Sequence, residues 1–224
     1  MGGVARYMEE FKRSAALHAV TTVRDGMRVG LGTGSTVRYA IEKIGELVAE
    51  GLDIVGVATS RDTERRAARA GIPLEELDER PLDLTIDGAD QVDPEMNLIK
   101  GGGGALLREK MVARASRREI IVVDHTKMVE AFTFPLPVEV VPYGWKSTRA
   151  HLSALGFRPE LRRSVVTDNG NYILDCSYHR LENPAETEIE LNSIPGVVDN
   201  GLFIDLATEV VVGTPSGAKT IRRQ

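Results

Sequence analysis

Between Thr85 and Lys110 the chain reads TIDGADQVDPEMNLIKGGGGALLREK, with Asp87 and Asp90 close together, Lys100 running into four glycines, and Glu109 in the segment beyond them. A carboxylate base, a lysine that neutralises a developing oxyanion and two aspartates that move hydroxyl protons are the parts needed to abstract a proton α to a carbonyl. Earlier, GLGTGSTVR sets the hydroxyls of Thr33, Ser35 and Thr36 around Gly34, where a strand is expected to turn into a helix. Backbone N–H groups at such a turn, added to the positive end of a helix, bind phosphate. The dinucleotide version of this loop fails, because G-x-G-x-x-G requires glycine where Ser35 stands and the next strand ends in VATS rather than in an acid. A nucleotide P-loop fails too, since no Gly-Lys-Ser/Thr follows. Together the three stretches describe an aldose-ketose isomerisation of a phosphosugar through an enediolate, with no metal and no redox cofactor required.

Each stretch also has a plainer reading. The threonine turn could simply cap a helix. Asp87 and Asp90 could be solvated loop acids or, with Asp93 and Glu95, a set of oxygen ligands, although the spacing is not that of an EF-hand and no histidine stands nearby. Glu109 could be half of a surface ion pair, worth under about 1 kcal/mol. The glycines are harder to explain away. Each costs on the order of 1 kcal/mol against alanine in a helix, so a loop built from four of them serves close backbone approach to a ligand.

The surrounding pattern is one of strands alternating with helices. An opening helix runs from about Tyr7 to Val23, followed by a strand at RVGLG and a helix with Val37, Ala40, Ile41, Ile44, Leu47 and Val48 on one stripe. DIVGVAT is a strand, SRDTERRAARAG a helix begun at Ser60 and stopped at Gly71, LDLTID a strand, ALLREKMVARAS a helix, and EIIVVD a strand too apolar to face water on either side. This order predicts an open, mostly parallel, Rossmann-like α/β sheet with helices on both faces. Ligands in such sheets sit outside the carboxyl ends of the strands, the edge that carries both the threonine turn and Asp87.

After Phe134 the order becomes β-α-β-β-α-β: PVEVV, a helix at GWKSTRAHLSALG, a hairpin in SVVTDNGNYILDC turning at Asn169-Gly170, a helix capped by Asn183 with Pro184 in its first turn, and VVDNGLF. That is a smaller α+β, ferredoxin-like domain. The expected boundaries are 1–133 with 205–224 for the catalytic domain, to which EVVVGT returns as one more strand, and 134–204 for the small one. Trp145 belongs to the small domain's packing, EELDER to a solvated surface turn, and His125 to structure rather than proton transfer.

A formal net charge of −5 without a Lys/Arg-rich block argues against nucleic acid or an anionic membrane as partner. Cys176 is the only cysteine, which rules out an intrachain disulfide and fits a reducing cytoplasm. No long apolar run and no secretory leader are present, so the protein is expected to be cytoplasmic, without a membrane partner.

GLGTGST, DGAD, KGGGGALLREK, FPLPVEV, VVTDNGN and IPGVV…GLF, ending in VGTPSG, resemble the type A ribose-5-phosphate isomerases, in order and over nearly the whole chain. The resemblance implies interconversion of D-ribose 5-phosphate and D-ribulose 5-phosphate in the non-oxidative pentose phosphate pathway, without a cofactor or a metal, in a homodimer or homotetramer. By it, Glu109 is the base moving a proton between C1 and C2, Asp87 and Asp90 contact the sugar hydroxyls and relay protons, and Lys100 stabilises the enediolate. Thr33, Gly34, Ser35, Thr36, Gly88, Ala89, Gly101, Gly102 and Gly103 hold the substrate, with Lys127 of DHTKMV near its phosphate. Where many relatives read KGGGAA, this chain has a fourth glycine, Gly104, expected to loosen the turn before the base helix. An amino-sugar phosphate deaminase, a coenzyme A transferase or a sugar-phosphate sensor could share such a scaffold. The joint occurrence of Asp87, Asp90, Lys100 and Glu109 counts against the first two, and the absence of a DNA-reading module against the third.

Overall fold

The computed structural model describes residues 2–223, with side chains from Arg6 onward. The elements are α1 (Gly2–Val20), β1 (Met27–Leu31), α2 (Val37–Ala49), β2 (Ile54–Ala58), α3 (Arg61–Arg69), β3 (Leu84–Asp87), β4 (Gln91–Val92), β5 (Leu98–Ile99), α4 (Leu106–Ala115) and β6 (Glu119–Asp124). A 3-10 turn (His125–Lys127) leads to β7 (Leu136–Val140), α5 (Trp145–Ala154), β8 (Arg158–Leu161), β9 (Tyr172–Ser177), α6 (Pro184–Asn192), β10 (Val197–Asn200), β11 (Leu202–Phe203), β12 (Glu209–Thr214) and β13 (Gly217–Arg222). Two compact units result: Met1–Ala89 with Arg108–Met128 and Leu206–Gln224, and Asp90–Leu107 with Val129–Asp205. Compared with the expected boundaries, residues 90–107, 129–133 and 205 group with the second unit, the first of these being the largest change. The reason is local pairing: β4 and β5 join β11 in a three-stranded antiparallel sheet.

The first unit is built on a six-stranded sheet in the order β13-β12-β6-β3-β1-β2, parallel except for β13. All six residues of β6 are buried, as expected of a strand covered on both faces. Side-chain alternation separates those faces. Leu84 and Ile86 of β3 join one cluster with Ala15, Ala16 and Ala19 of α1, Val37, Ala40, Ile41 and Ile44 of α2, and Ala67 of α3. Thr85 points the other way, its hydroxyl 2.6 Å from that of Ser116, and Val57 and Leu82 pack on Val112 of α4. The hairpin partner β13 was not expected, although TPSG before it is an ordinary turn signal.

Local chemistry supports the helices. Ser60 caps α3 by accepting from the Thr63 N–H at 3.0 Å. The EELDER turn does more than face solvent, because Glu75 and Asp78 pair with the buried guanidinium of Arg28. On α1, Glu9 accepts from the Tyr39 hydroxyl at 2.6 Å and from Lys12 Nζ at 2.9 Å, and pairs with Arg38. The Tyr39 hydrogen bond, followed by that from Lys12, holds the Glu9 carboxyl at about 2, below its ordinary 4.5. With the folded value below the unfolded one, the stabilisation is complete above the ordinary carboxylate range and is lost as pH falls toward 2. Glu9→Gln should therefore lower the thermal midpoint slightly at neutral pH and converge with the parent chain near pH 2. Since the side chain is 41% exposed, solvent screening keeps the effect well under about 1 kcal/mol.

The second unit carries a four-stranded antiparallel sheet in the order β10-β7-β9-β8, with α5 and α6 as connections, which is the ferredoxin-like arrangement. Pro159 sits in β8 at the edge, where a missing N–H is tolerated. The hairpin turns where expected, with Gly170 at φ 84 and its N–H donating to Thr167 O, but Arg158–Leu161 forms its first strand rather than residues 164–167. Ser164 at φ 59 breaks the extended chain there. Trp145 packs edge-on to Tyr172, ring centroids 6.5 Å apart, beside the core of Leu136, Val138, Val140 and Leu174.

Candidate active site

Strand order in the first unit changes direction at β1, which has β2 on one side and β3 on the other. The carboxyl ends of β1 and β3 thus flank a switch point, where open sheets hold ligands. Gly32 follows β1 and Asp87 ends β3. The Gly32 N–H donates to Ile86 O at 3.0 Å, and the Thr33 N–H donates to Asp87 Oδ1 at 3.1 Å. A Cβ on Gly32 would lie 2.2 Å from that carboxylate oxygen, so only glycine lets the turn cross here. Asp87 is fully buried, and its Oδ1 also accepts from the Gly88 N–H at 2.7 Å. It is a carboxylate aimed and fixed by backbone donors rather than a solvated loop acid.

The threonine turn is divided in its roles. The Thr33 hydroxyl is taken into a cluster with Thr59 and Ser60, both at 2.8 Å, and Thr63 at 3.1 Å. Gly34 and Ser35 are exposed, and Thr36 stands at the N-cap of α2 without a side-chain cap bond, so plain helix capping is not what this threonine does. Ser35 is thus exposed ahead of α2 and Thr36 half-buried at its amino end, with the Thr33 hydroxyl held in the cluster beside them. Sequence reasoning read Ser60 only as the start of α3 and did not single out Thr59 or Thr63, so the hydroxyl cluster around Thr33 was missed.

Helical periodicity places Glu109. Val112 on α4 and Ser116 just past its end reach β1 and β3: a Cβ on Gly30 would meet Thr85 Oγ1 at 1.9 Å and Val112 Cγ1 at 2.8 Å, and the Ser116 hydroxyl lies 2.6 Å from that of Thr85. Residues 109, 112 and 116 fall on one stripe, so Glu109 lies one turn beyond Val112, toward the carboxyl end of β3. Asp87 shares its face of β3 with Thr85, the face that α4 covers. The two carboxylates therefore occupy the same side and the same rim of the sheet. Glu109 is 4% exposed, which removes the surface ion-pair alternative. Lys127 closes the 3-10 turn after β6 on this rim, half-buried, where Asp124 Oδ1 accepts from the Thr126 N–H at 3.0 Å. His125 is exposed and stacks edge-on to Phe11 at 5.4 Å.

In the second unit, Lys100 follows β5 directly and is 2% exposed, its Nζ 5.4 Å from the Phe203 ring centroid. Its N–H donates to Gly201 O at 2.9 Å. Asp90 Oδ2 accepts from the Gly102 N–H at 2.7 Å, so the second aspartate of DGAD is tied to the glycine loop. Gly88 and Ala89 are half-buried, Gly101 is buried, and Gly102 and Gly103 are exposed. Gly104, expected to loosen the turn, instead closes it: its N–H donates to Gly101 O at 3.0 Å with φ at 82. A left-handed backbone costs an L-residue roughly 1–2 kcal/mol, so Gly104→Ala should lower the thermal midpoint by a few degrees. Turnover should stay within about twofold, since no named group moves.

Asp93, weighed as an oxygen ligand, is occupied in bracing its own turn, accepting from the N–H groups of Glu95 at 2.9 Å and Asn97 at 2.8 Å. Among the described residues, no three His, Cys, Asp or Glu side chains gather as a metal set. Nor, among them, is any helix long and apolar enough to cross a membrane.

Residues 55–217 match the family model of ribose 5-phosphate isomerase A, also called phosphoriboisomerase A. The chain is 48% identical to the ribose-5-phosphate isomerase A of Bacillus mycoides, covering 95% of this chain and 99% of the relative. To that of Thermococcus kodakarensis it is 46% identical, over 96% of this chain and 99% of the relative. Among solved structures, a D-ribose-5-phosphate isomerase in complex with phospho-erythronic acid superposes with a TM-score of 0.94 at 43% identity, covering 96% of this chain and 99% of the other. The Plasmodium falciparum ribose 5-phosphate isomerase gives 0.93 at 35% identity, over 97% and 100%. Fold, motif order and near full-length identity agree, and the chain belongs to the ribose 5-phosphate isomerase A family.

Proposed function

We propose that this chain interconverts D-ribose 5-phosphate and D-ribulose 5-phosphate, the isomerisation of the non-oxidative pentose phosphate pathway, by proton transfer through an enediolate. The observation that carries the reading is the 48% identity over 219 residues to a ribose-5-phosphate isomerase A. Supporting the assignment of roles are the burial of Glu109 and Asp87 on one rim and the burial of Lys100 at the head of the glycine loop. Glu109 takes the proton from C2 of the aldose and returns it to C1. Lys100 offsets the charge that develops on the enediolate oxygen, where a buried cation acts more strongly than it would in water. Asp87 and Asp90 hold the sugar hydroxyls and shuttle their protons. The Gly34, Ser35 and Thr36 turn with Lys127 receives the phosphate, and Gly88, Ala89, Gly101, Gly102 and Gly103 bring backbone close to the sugar.

No electrons change hands between substrate and protein, so no redox carrier enters the scheme, and the base needs no metal-bound water. Dialysis against a strong chelator should leave the rate unchanged; loss that a divalent ion restores would contradict this. Lys127→Ala should raise KM by about tenfold or more with kcat changed less, since a phosphate contact remote from the reacting carbons is made equally in ground and transition states. An unchanged KM removes Lys127 from the phosphate site. Phospho-erythronic acid, bound in the similar isomerase structure, should inhibit competitively, its carboxylate standing in for the charged enediolate.

A homodimer or homotetramer is part of the proposal, supported by the edge strands of the four-stranded sheet and by exposed Tyr143, Val166 and Ile189. So is a cytoplasmic setting, which suits a buried lone thiol, Cys176, and a charged substrate that does not cross bilayers. The deciding experiment is a direct assay of ribose 5-phosphate conversion by the purified chain. Absence of ribulose 5-phosphate sinks the reading.

A further inference from the structure

We propose that Arg162, braced by Asp175, is a positioning residue for the isomerisation: it locks the glycine loop that begins at Lys100 into its working shape. The inference rests on the isomerase reading above. Arg162 Nε donates to Asp175 Oδ2 at 2.8 Å and Nη2 donates to Oδ1, a forked pair that fixes the plane of the guanidinium. The remaining Nη1 donates to Gly101 O at 2.9 Å and to Gly102 O at 3.2 Å. One planar cation therefore holds two successive carbonyls of the loop.

Asp90 completes the clamp. The carbonyl of Gly101 and the N–H of Gly102 belong to one peptide plane and point in opposite directions across it. Arg162 holds the first, and Asp90 Oδ2 holds the second at 2.7 Å. That plane is fixed at both ends, and the plane after it is held through Gly102 O. The glycines lack side chains to restrict them, and Gly102 and Gly103 are exposed, so beyond the internal bond from the Gly104 N–H to Gly101 O the loop is ordered by these outside contacts. Arg162 stands in β8–β9 connecting chain, its own N–H donating to Ile173 O at 2.9 Å, which gives the clamp a rigid base. Its side chain is 17% exposed. LRRS offers no motif by which sequence alone could have singled it out.

A lysine at this position cannot reproduce the clamp, because an ammonium lacks the planar fork that binds carboxylate and carbonyls together. Both Arg162→Ala and Arg162→Lys should speed amide exchange across residues 101–104 by at least about tenfold, the signature of local opening. Both should lower kcat on ribose 5-phosphate by at least about tenfold while KM moves less than about threefold, because the loop presents groups that act in the transition state. Millimolar methylguanidinium should restore part of the kcat of Arg162→Ala and none of that of Glu109→Gln. A general loss of stability would move the thermal midpoint without that rescue, and would overturn the positioning role. Unchanged loop exchange, or unchanged kcat with faster exchange, would overturn it as well. If the parent chain itself fails to convert ribose 5-phosphate, the isomerase reading falls and the kinetic half of this inference with it, while the exchange measurement still decides whether Arg162 holds the loop.

Discussion

Glu109→Gln leaves ribose 5-phosphate binding within roughly tenfold and lowers kcat by at least about 10²-fold, the range expected when a positioned base is removed. The substitution keeps the shape and most of the hydrogen-bonding capacity of the side chain, so the buried face of α4 that carries Val112 stays packed. Only the ability to accept a proton is lost. Steady-state kinetics, with ligand binding measured separately, distinguish this from collapse of the site, which would weaken binding together with turnover. Near-normal kcat in a folded Glu109→Gln protein removes Glu109 from its role. It would also leave unexplained why a carboxylate 4% exposed stands on the side of the sheet that Asp87 faces.

Lys100→Met comes next in size. Methionine roughly fills the volume of the lysine stem beside Phe203 but carries no charge, so packing is kept and the electrostatic contribution is removed. Loss of one preorganised donor at a developing oxyanion typically costs about 10²–10³ in kcat, and that is the fall expected here. KM should move by only a few-fold, because the aldehyde oxygen of the ground state bears little charge. A fall of less than about tenfold would place Lys100 among the groups that merely bind. In that case the burial of its side chain to 2% exposure would belong to the packing of the second unit alone.

Much of this was legible before any coordinates, and the reasons are physical. Parallel strands buried on both faces, such as EIIVVD, and a helix stripe such as Val37, Ala40, Ile41 and Ile44 carry strong periodic signals, and these place the sheet and its covering helices. The β-α-β-β-α-β order similarly leads to the four-stranded antiparallel sheet. What periodicity could not reach were contacts made by short segments. The pairing of Gln91–Val92 and Leu98–Ile99 with Leu202–Phe203 involves strands of two residues each, too short to show alternation, and their joining moves residues 90–107 into the second unit. The first strand of the hairpin lies at Arg158–Leu161 rather than at 164–167, because the apolar pair Val165-Val166 looks extended in sequence while the positive φ at Ser164 leaves no sequence signal.

At the candidate site, glycines and acids drew notice because they are costly in ordinary structure, whereas the partners that orient them did not. Gly32 could be singled out as a turn residue, but that its missing side chain makes room for Asp87 is visible only in three dimensions. Likewise the Thr33 hydroxyl was placed with the substrate, but the cluster it makes with Thr59 and Ser60, 2.8 Å from each oxygen, left no trace in the spacing. These residues and Arg162 are common, inexpensive polar side chains on loops, and sequence spacing says nothing about where they point.

Hydrogen exchange between solvent and the reacting carbons tests the central claim most directly. Incubated in D2O over many turnovers, the parent chain should place deuterium at C1 of ribulose 5-phosphate and at C2 of ribose 5-phosphate, as followed by NMR, and Glu109→Gln should place almost none in the same time. Interconversion by the parent chain with no label at either carbon, or labelling by Glu109→Gln at the parent rate, would contradict proton transfer by this carboxylate.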